Sequence, residues 1–181
     1  SGEAAAEAAT DAPDGDGDPT TLTVAMECAY ATYNWTQSDD SNGAVAIRGS
    51  SDYAYGYDVM MAKKIADALG QNVQIVKLDW DSLIPAVMSG DVDCVIAGQS
   101  ITAARAAQVD FSDPYYYASI ITLSKKDSQY ASAASVADLA GATATSQLGT
   151  IWYDTCLPQI ENANILPAQE TRPSGGDPYY I

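Results

Sequence analysis

The chain has 181 residues, 47% of them hydrophobic, and a formal net charge of −16 at pH 7. This length and composition predict a globular protein with one sizeable hydrophobic core or two small ones. The eight Lys and Arg residues are scattered, which argues against a nucleic-acid partner or an anionic membrane surface. Because histidine is absent, Ser-His-Asp and Cys-His catalysis are excluded, and neither a metal nor a cofactor is predicted.

The three cysteines, Cys28, Cys94 and Cys156, lie far apart and show no CxxC spacing. This pattern favours neither a zinc site nor a dense disulfide framework. We expect free, buried thiols, the usual state of unpaired cysteine. No apolar stretch is long enough to span a bilayer as a helix.

The first half of the chain alternates strand and helix signals. Residues 22–26 read as a strand, and a polar loop rich in Gly and Ser is expected over 36–55. Apolar spacing of three and four predicts a helix from about 57 to 69, stopped by Gly70, and a strand follows at 73–78.

A second helix is expected to open at residues 79–82, to hold Pro85 in its first turn and to end at Gly90. The apolar run at 93–97 then reads as a strand buried on both faces. This strand-helix-strand-helix-strand order predicts a parallel α/β sheet. Ligands of such sheets bind beyond the carboxyl ends of the strands, where one edge would gather Tyr30, Trp80 and residues 100–105.

Arg105 is the strongest single candidate for a binding residue. Thr102 can cap a short helix that begins at the next residue. Gly98 and Ser100 precede Thr102 in the same loop. An arginine one turn into that helix can form a bidentate pair with a carboxylate, supported by the helix N-terminus. The alternative from this segment alone is a solvated surface arginine.

From residue 111 the pattern changes, and an extended apolar run at 118–123 leads into a smaller second unit. There we expect a helix near 135–139, a strand at 143–146, a loop at 147–150, a helix from 151 to about 160 and a strand near Ile165. The predicted organisation is a disordered acidic tether (1–20), lobe one (21–113), a partial lobe two with the hinge crossing (114–170) and an atypical tail or linker (171–181).

Four stretches carry a resemblance to a known family. They are GYDVMMAKKIADALG (56–70), DWDSLIPAVMSGDVDCVIAGQSITAAR (79–105), VDFSDPYY (109–116) and QLGT (147–150). Together, in this order and over about 22–168, the chain resembles the extracellular solute-binding proteins of ABC importers, in the branch that binds polar amino acids. The resemblance implies an α/β periplasmic-binding-protein type II fold, or Venus flytrap, whose two lobes close on the ligand.

The resemblance also implies roles for residues of lobe one. Arg105 would pair with the ligand α-carboxylate, and the Gly98 backbone and Ser100 hydroxyl would meet the α-ammonium or carboxylate. Tyr30 and Trp80 fall where aromatic rings sandwich the ligand side chain. For both aromatic residues, packing at the sheet end is the alternative.

In lobe two, Gly149 and Thr150 match the loop that supplies backbone and hydroxyl donors to the carboxylate. Glu27 falls near a position that contacts a distal ammonium in basic-ligand members, with a structural or solvated role as the alternative. Members of the family continue with more of lobe two, and residues 171–181 do not resemble them. We therefore expect the second lobe to be incomplete.

These features predict a substrate-binding component that captures a free amino acid and delivers it to the membrane permease of an ABC importer, and not an enzyme. The alternative is a sensor or scaffold fragment built on the same fold. The acidic residues 1–20 fit a spacer behind a lipid anchor upstream of Ser1, and the expected location is extracytoplasmic, at a bacterial cell surface or in the periplasm. A cloning remnant at Ser1 and Gly2 is the other explanation.

Overall fold

A computed structural model describes residues 19–167 of the chain. The chain divides into two compact units, Ser1–Phe111 and Ser112–Ile181. The predicted tail at 171–181 and residues 1–18 of the predicted tether lie outside the described residues. The last two tether positions are described, and the carbonyl oxygens of Pro19 and Thr20 accept hydrogen bonds from Gln71 and Asn72.

The described part of the first unit contains short strands and three α-helices. The strands are β1 (Thr21–Met26), β2 (Ala29–Tyr30), β3 (Asn34–Gln37), β4 (Val45–Ala46), β5 (Tyr53–Tyr55), β6 (Asn72–Lys77) and β7 (Cys94–Val95). The α-helices are α1 (Tyr57–Leu69), α2 (Leu83–Ser89) and α3 (Ala103–Ala106), with 3-10 helices at Ser41–Gly43 and Trp80–Ser82.

A parallel sheet with the order β6-β1-β7 forms the centre of this unit. The register runs from Thr21 opposite Asn72 to Met26 opposite Lys77, and β7 pairs with the other side of β1. The β1 residues from Thr23 to Met26 are completely buried, because this strand is paired on both edges and α1 and α2 pack against it. The predicted parallel pairing is therefore confirmed.

Helices α1 and α2 cover this sheet as their apolar spacing predicts. Val59, Ala62 and Ala66 of α1 are buried, and α1 packs on β6 and β1. Gly70 ends α1 in the left-handed conformation at φ 70°, and Gly90 ends α2 at φ 79°. Both positions need this conformation, which a Cβ atom disfavours.

The loop predicted over 36–55 is wrong in part, although most of its residues lie outside strands. Strands β3, β4 and β5 fall there and join β2 in an antiparallel sheet of order β2-β3-β5-β4. Aromatic residues stabilise this pairing, since Trp35 lies opposite Tyr55 with an edge-on ring contact at 5.3 Å. The strand predicted at 93–97 is shorter than expected, because only Cys94–Val95 pairs as a strand.

The second unit is built on two parallel strands, β8 (Thr143–Ser146) and β9 (Asn164–Pro167). Leu139, Ala142 and Ile160 form its buried apolar centre. The helix expected near 135–139 is a 3-10 helix, Val136–Leu139, that Ser135 and Asp138 cap reciprocally.

The α-helix predicted from 151 to about 160 is wrong in kind. A π-helix spans Trp152–Cys156, and a 3-10 helix follows at Leu157–Gln159. Pro158 has no N–H to donate and disfavours a continuing α-helix, which is consistent with the change to a 3-10 helix at this point. The apolar run at 118–123 forms no helix or strand, and Ile121 is 73% exposed. Within residues 19–167, no helix has the length and apolar composition needed to cross a membrane.

Candidate functional site

Three loops leave the parallel sheet at the same edge. Tyr30 follows the carboxyl end of β1, Trp80 follows β6, and the segment from Gly98 to Arg105 follows β7. Because these strands are parallel, their carboxyl ends share an edge, as the sequence predicts. Side-chain contacts bring the loops together in two groups, one around Arg105 and one around Tyr30.

The guanidinium group of Arg105 is held by two neighbours. Its Nη1 donates a hydrogen bond of 2.8 Å to the carbonyl oxygen of Ser100. Its Cζ lies over the ring of Trp80, 5.4 Å from the ring centroid. Two of the residues assigned from the resemblance, Trp80 and Ser100, therefore contact Arg105 directly.

Thr102 starts the short helix that carries Arg105, as predicted. Its hydroxyl oxygen accepts a hydrogen bond of 3.2 Å from the backbone N–H of Arg105. Helix α3 contains only four residues, Ala103–Ala106. The helix dipole expected to assist carboxylate binding is therefore small, because few aligned peptide units contribute to it. The side chain of Arg105, and not the helix end, must supply most of the positive charge.

Gly98 brings the β7 loop against the aromatic residues that follow β1. It adopts φ +59°, and a Cβ built on it would lie 3.3 Å from a ring carbon of Tyr30 and 3.6 Å from a ring carbon of Tyr33. An L side chain here would be strained and would also press on the Tyr30 ring. Glycine at this position keeps the aromatic rings close to the loop backbone.

Tyr30, Tyr33 and Tyr57 form an aromatic cluster beside Gly98. The rings of Tyr30 and Tyr33 are 4.8 Å apart and tilted by 30°, and Tyr57 meets Tyr33 edge-on at 6.5 Å. Burial raises the pKa of the Tyr30 hydroxyl, and the nearby Asp58 carboxylate raises it further. The sequence predicts Tyr30 but misses Tyr57, whose only signal is its place directly after Gly56 at a helix start.

A buried polar pair supports this aromatic cluster. Asn34 and Asp58 are both 0% exposed, and Asn34 Nδ2 donates to Asp58 Oδ2 over 2.7 Å. The Asp58 backbone N–H also donates to the carbonyl oxygen of Tyr33 over 2.8 Å. Neither residue is found from the sequence, because nothing in the local pattern links two positions 24 residues apart.

Glu27 follows β1 directly and is half-buried. Its neighbour Cys28 has a thiol whose pKa rises to about 11, mainly through burial, with a smaller rise from Glu27 and an opposing effect of Lys77. The contact of Glu27 with a distal ammonium stays a prediction. All three cysteines are free, as expected, although only Cys28 is fully buried.

Gly149 and Thr150 belong to the second unit. Thr150 is 4% exposed, and its hydroxyl donates to the carbonyl oxygen of Gln147 over 2.6 Å and accepts from the Tyr153 N–H. Gly149 adopts φ +70° and is exposed. The hydroxyl thus stabilises its own loop in this structure, and the roles of both residues toward a ligand stay predictions.

Acidic and sulfur ligands do not converge on a metal site in the described residues. Across 19–167, no group of three or more His, Cys, Asp or Glu side chains could hold a metal ion.

Several known proteins resemble this chain. The arginine-binding extracellular protein ArtP of Bacillus subtilis is 43% identical over 100 residues, which are 55% of this chain and 38% of ArtP. A probable histidine-binding protein of Campylobacter jejuni is 30% identical over 148 residues, which are 81% of this chain and 52% of that protein. The chain thus spans about half or less of the length of these curated relatives.

Solved structures show the same fold. The arginine-bound form of truncated ArgBP from T. maritima has a TM-score of 0.66 and 30% identity, over 82% of this chain and 64% of that one. The ancestral amino acid-binding protein AncCDT-1 has a TM-score of 0.68 and 32% identity, over 82% of this chain and 61% of that one. These structures confirm the predicted α/β periplasmic-binding-protein type II fold. The family model for these proteins matches residues 22–170, and the chain belongs to the bacterial extracellular solute-binding proteins, family 3.

Proposed function

We propose that the chain captures a free amino acid and that Arg105 binds the ligand α-carboxylate. The observation that carries this proposal is the position of the Arg105 guanidinium at the carboxyl edge of the sheet, against Trp80 and the Ser100 carbonyl. A guanidinium pairs with a planar carboxylate through two parallel, charge-assisted hydrogen bonds. Gly98 supports it further, because its φ of +59° keeps the backbone of this loop close to the Tyr30 ring at the same edge of the sheet.

The ligand side chain that fits best is a cation, as in L-arginine. The faces of the aromatic cluster attract cations and guanidinium groups. Glu27, half-buried after β1, can offer a carboxylate to a distal charge. The names of similar proteins support this choice, since ArtP is described as arginine-binding and the T. maritima structure is an arginine-bound form.

The transport role is part of the same proposal. Gly149 and Thr150 stay the predicted ligand contacts of the second unit, and a ligand that binds one state of a protein more tightly shifts the protein toward that state. The partner would be the membrane permease of an ABC importer, as the name of the ABC transporter arginine-binding protein 1 of Escherichia coli suggests. The family description supports a location outside the cytoplasmic membrane, and a lipid anchor upstream of Ser1 would hold the protein there.

A thermal-unfolding screen against the standard amino acids at millimolar concentration tests this proposal. A ligand present at 100 times its dissociation constant stabilises a protein by about 2.7 kcal/mol, which raises the unfolding midpoint visibly. We expect basic amino acids to raise it most. A longer version, extended to the length of the curated relatives, is screened in parallel. If neither version responds, the proposal fails and self-association of the chain is measured to test the scaffold alternative.

An enzyme built on this fold is the other alternative. AncCDT-1 is described as a precursor of cyclohexadienyl dehydratase, so dehydratase turnover is the reaction to assay. Ligand binding without turnover would support the proposed function, because a binding protein needs only a conformational equilibrium that the ligand shifts, and no chemical step.

A further inference from the structure

Trp80 and Arg105 meet across the central strand of the parallel sheet. Trp80 lies in the loop after β6 and Arg105 in the segment after β7, and β1 runs between these two strands. The distance of 5.4 Å from Arg105 Cζ to the ring centroid is within the range of a cation-π contact. The pair therefore connects two loops over the end of β1, where the proposed ligand would enter.

We propose that Trp80 is a positioning residue, whose ring holds the Arg105 guanidinium in the orientation that binds an α-carboxylate. This inference rests on the proposed function of Arg105. It differs from the role implied by the family resemblance, in which the Trp80 ring stacks directly on the ligand side chain.

The physical reason is the freedom of an arginine side chain. A long, flexible side chain loses rotamer entropy when it binds, and prior contacts reduce that loss. Here three contacts act on one residue, because Thr102 fixes the Arg105 backbone, Ser100 accepts from Nη1 and Trp80 lies against the guanidinium. A guanidinium has five N–H donors in one plane, so these contacts are compatible with a two-bond carboxylate pair.

The backbone of Trp80 is itself well anchored. It begins the 3-10 helix Trp80–Ser82, which a hydrogen bond of 2.9 Å from the Ser82 N–H to the Asp79 carbonyl closes. Leu83 follows and is completely buried. The backbone that carries the ring is therefore placed by the start of α2.

Ligand binding distinguishes positioning from direct stacking. Trp80→Leu, Trp80→Phe and the wild type are titrated with L-arginine and with agmatine, which is arginine without its α-carboxylate. We expect Trp80→Leu to lower L-arginine affinity roughly 3- to 30-fold, the effect of losing one cation-π contact, and to leave agmatine affinity within about twofold. Trp80→Phe should recover most of the lost affinity, because it restores a ring. An equal loss for both ligands, or no loss for L-arginine, overturns the inference.

Trp35→Leu is the matched control for removal of an indole ring. Trp35 packs edge-on against Tyr55 in the antiparallel sheet. The Trp35→Leu substitution should lower the unfolding midpoint but should not change the ratio of the affinities for L-arginine and agmatine. If Trp80→Leu acts only by destabilising the fold, it should also lower the unfolding midpoint without changing the ratio of the two affinities.

A measurement without ligand tests the contact itself. In isotope-labelled protein, the three tryptophans give separate indole N–H signals, which are assigned with single Trp→Phe variants. Arg105→Gln should shift the Trp80 signal and leave those of Trp35 and Trp152 in place, whereas Arg48→Gln should shift none of them. An unmoved Trp80 signal overturns the inference, even if agmatine binds too weakly to measure. If the wild type binds no amino acid but the Trp80 signal shifts, the proposed function fails while the contact stands.

Discussion

The side-chain amide of Asn34 donates a hydrogen bond of 2.7 Å to the carboxylate of Asp58, and both residues are completely buried. This bond joins β3 to the first turn of α1. Because Tyr33 precedes Asn34 and Tyr57 precedes Asp58, the same bond places two rings of the aromatic cluster. A polar contact in the core thus determines the shape of the surface proposed to bind the ligand.

Asp58→Ala should therefore destabilise the protein strongly. It leaves the buried Asn34 amide without this acceptor, and hydrogen bonds to charged groups contribute about 1.5–3 kcal/mol. We expect a loss of that size in the free energy of unfolding, measured by urea denaturation. Asp67→Ala is the matched control, because Asp67 is an exposed aspartate of the same helix. Equal effects of the two substitutions would contradict the role assigned to the buried pair.

Gly56→Ala should disturb the same region through the backbone. Gly56 adopts φ +127°, and a Cβ on it would lie 2.3 Å from the carbonyl oxygen of Tyr33. Gly49 is the control, since it has φ +74° and nothing within 4 Å of a built Cβ. We expect Gly49→Ala to cost about 1–2 kcal/mol from backbone strain alone and Gly56→Ala about 1–3 kcal/mol more, from steric overlap. Unfolding midpoints of both variants check this order.

Arg105→Ala should abolish amino-acid binding. The substitution removes the cation proposed to pair with the α-carboxylate in a partly desolvated site. Loss of such charged hydrogen bonds lowers affinity by more than about tenfold. Titration with L-arginine measures the loss. Arg48→Ala is the control, because Arg48 is exposed and bonds Gln74 at 3.3 Å. Affinity retained within about tenfold in Arg105→Ala would refute the assignment of the site.

The Cys28 thiol should react slowly at neutral pH. Burial raises its pKa from 9.0 to about 11, so the folded protein holds the unreactive protonated form. Because the folded pKa lies above the ordinary value, this proton stabilises the fold fully below pH 9.0, and the stabilisation is lost as pH rises through about 11. Rates of alkylation at Cys28, followed by peptide mass spectrometry with and without urea, check the first point, and rapid modification of Cys28 in the folded protein would contradict it.

The same pKa shift predicts a difference in stability between two variants. Wild type should lose free energy of unfolding between pH 9.0 and about 11 more steeply than Cys28→Ala, which has no thiol to ionise at this position. Urea denaturation across this range measures the difference. Parallel curves for the two proteins would show that the buried thiol makes no such contribution.

The sequence by itself determined the elements that depend on local pattern. Apolar spacing predicts α1 and α2, Gly70 and Gly90 mark their ends, and Thr102 is identified as a cap, since each signal involves residues within a few positions of one another. The order of strands and helices also predicts which sheet edge carries the candidate site. Arg105 is found in this way without any tertiary information.

Only the tertiary structure decided which side chains meet. The contact of Arg105 with Trp80, the bond of Asn34 to Asp58 and the antiparallel pairing of Trp35 with Tyr55 each join residues about twenty or more positions apart. No local period records such contacts, because they depend on how whole elements pack and on which polar groups must find partners when buried. The sequence therefore indicates Arg105 as the proposed binding residue, whereas the contacts that hold its side chain are seen only in three dimensions.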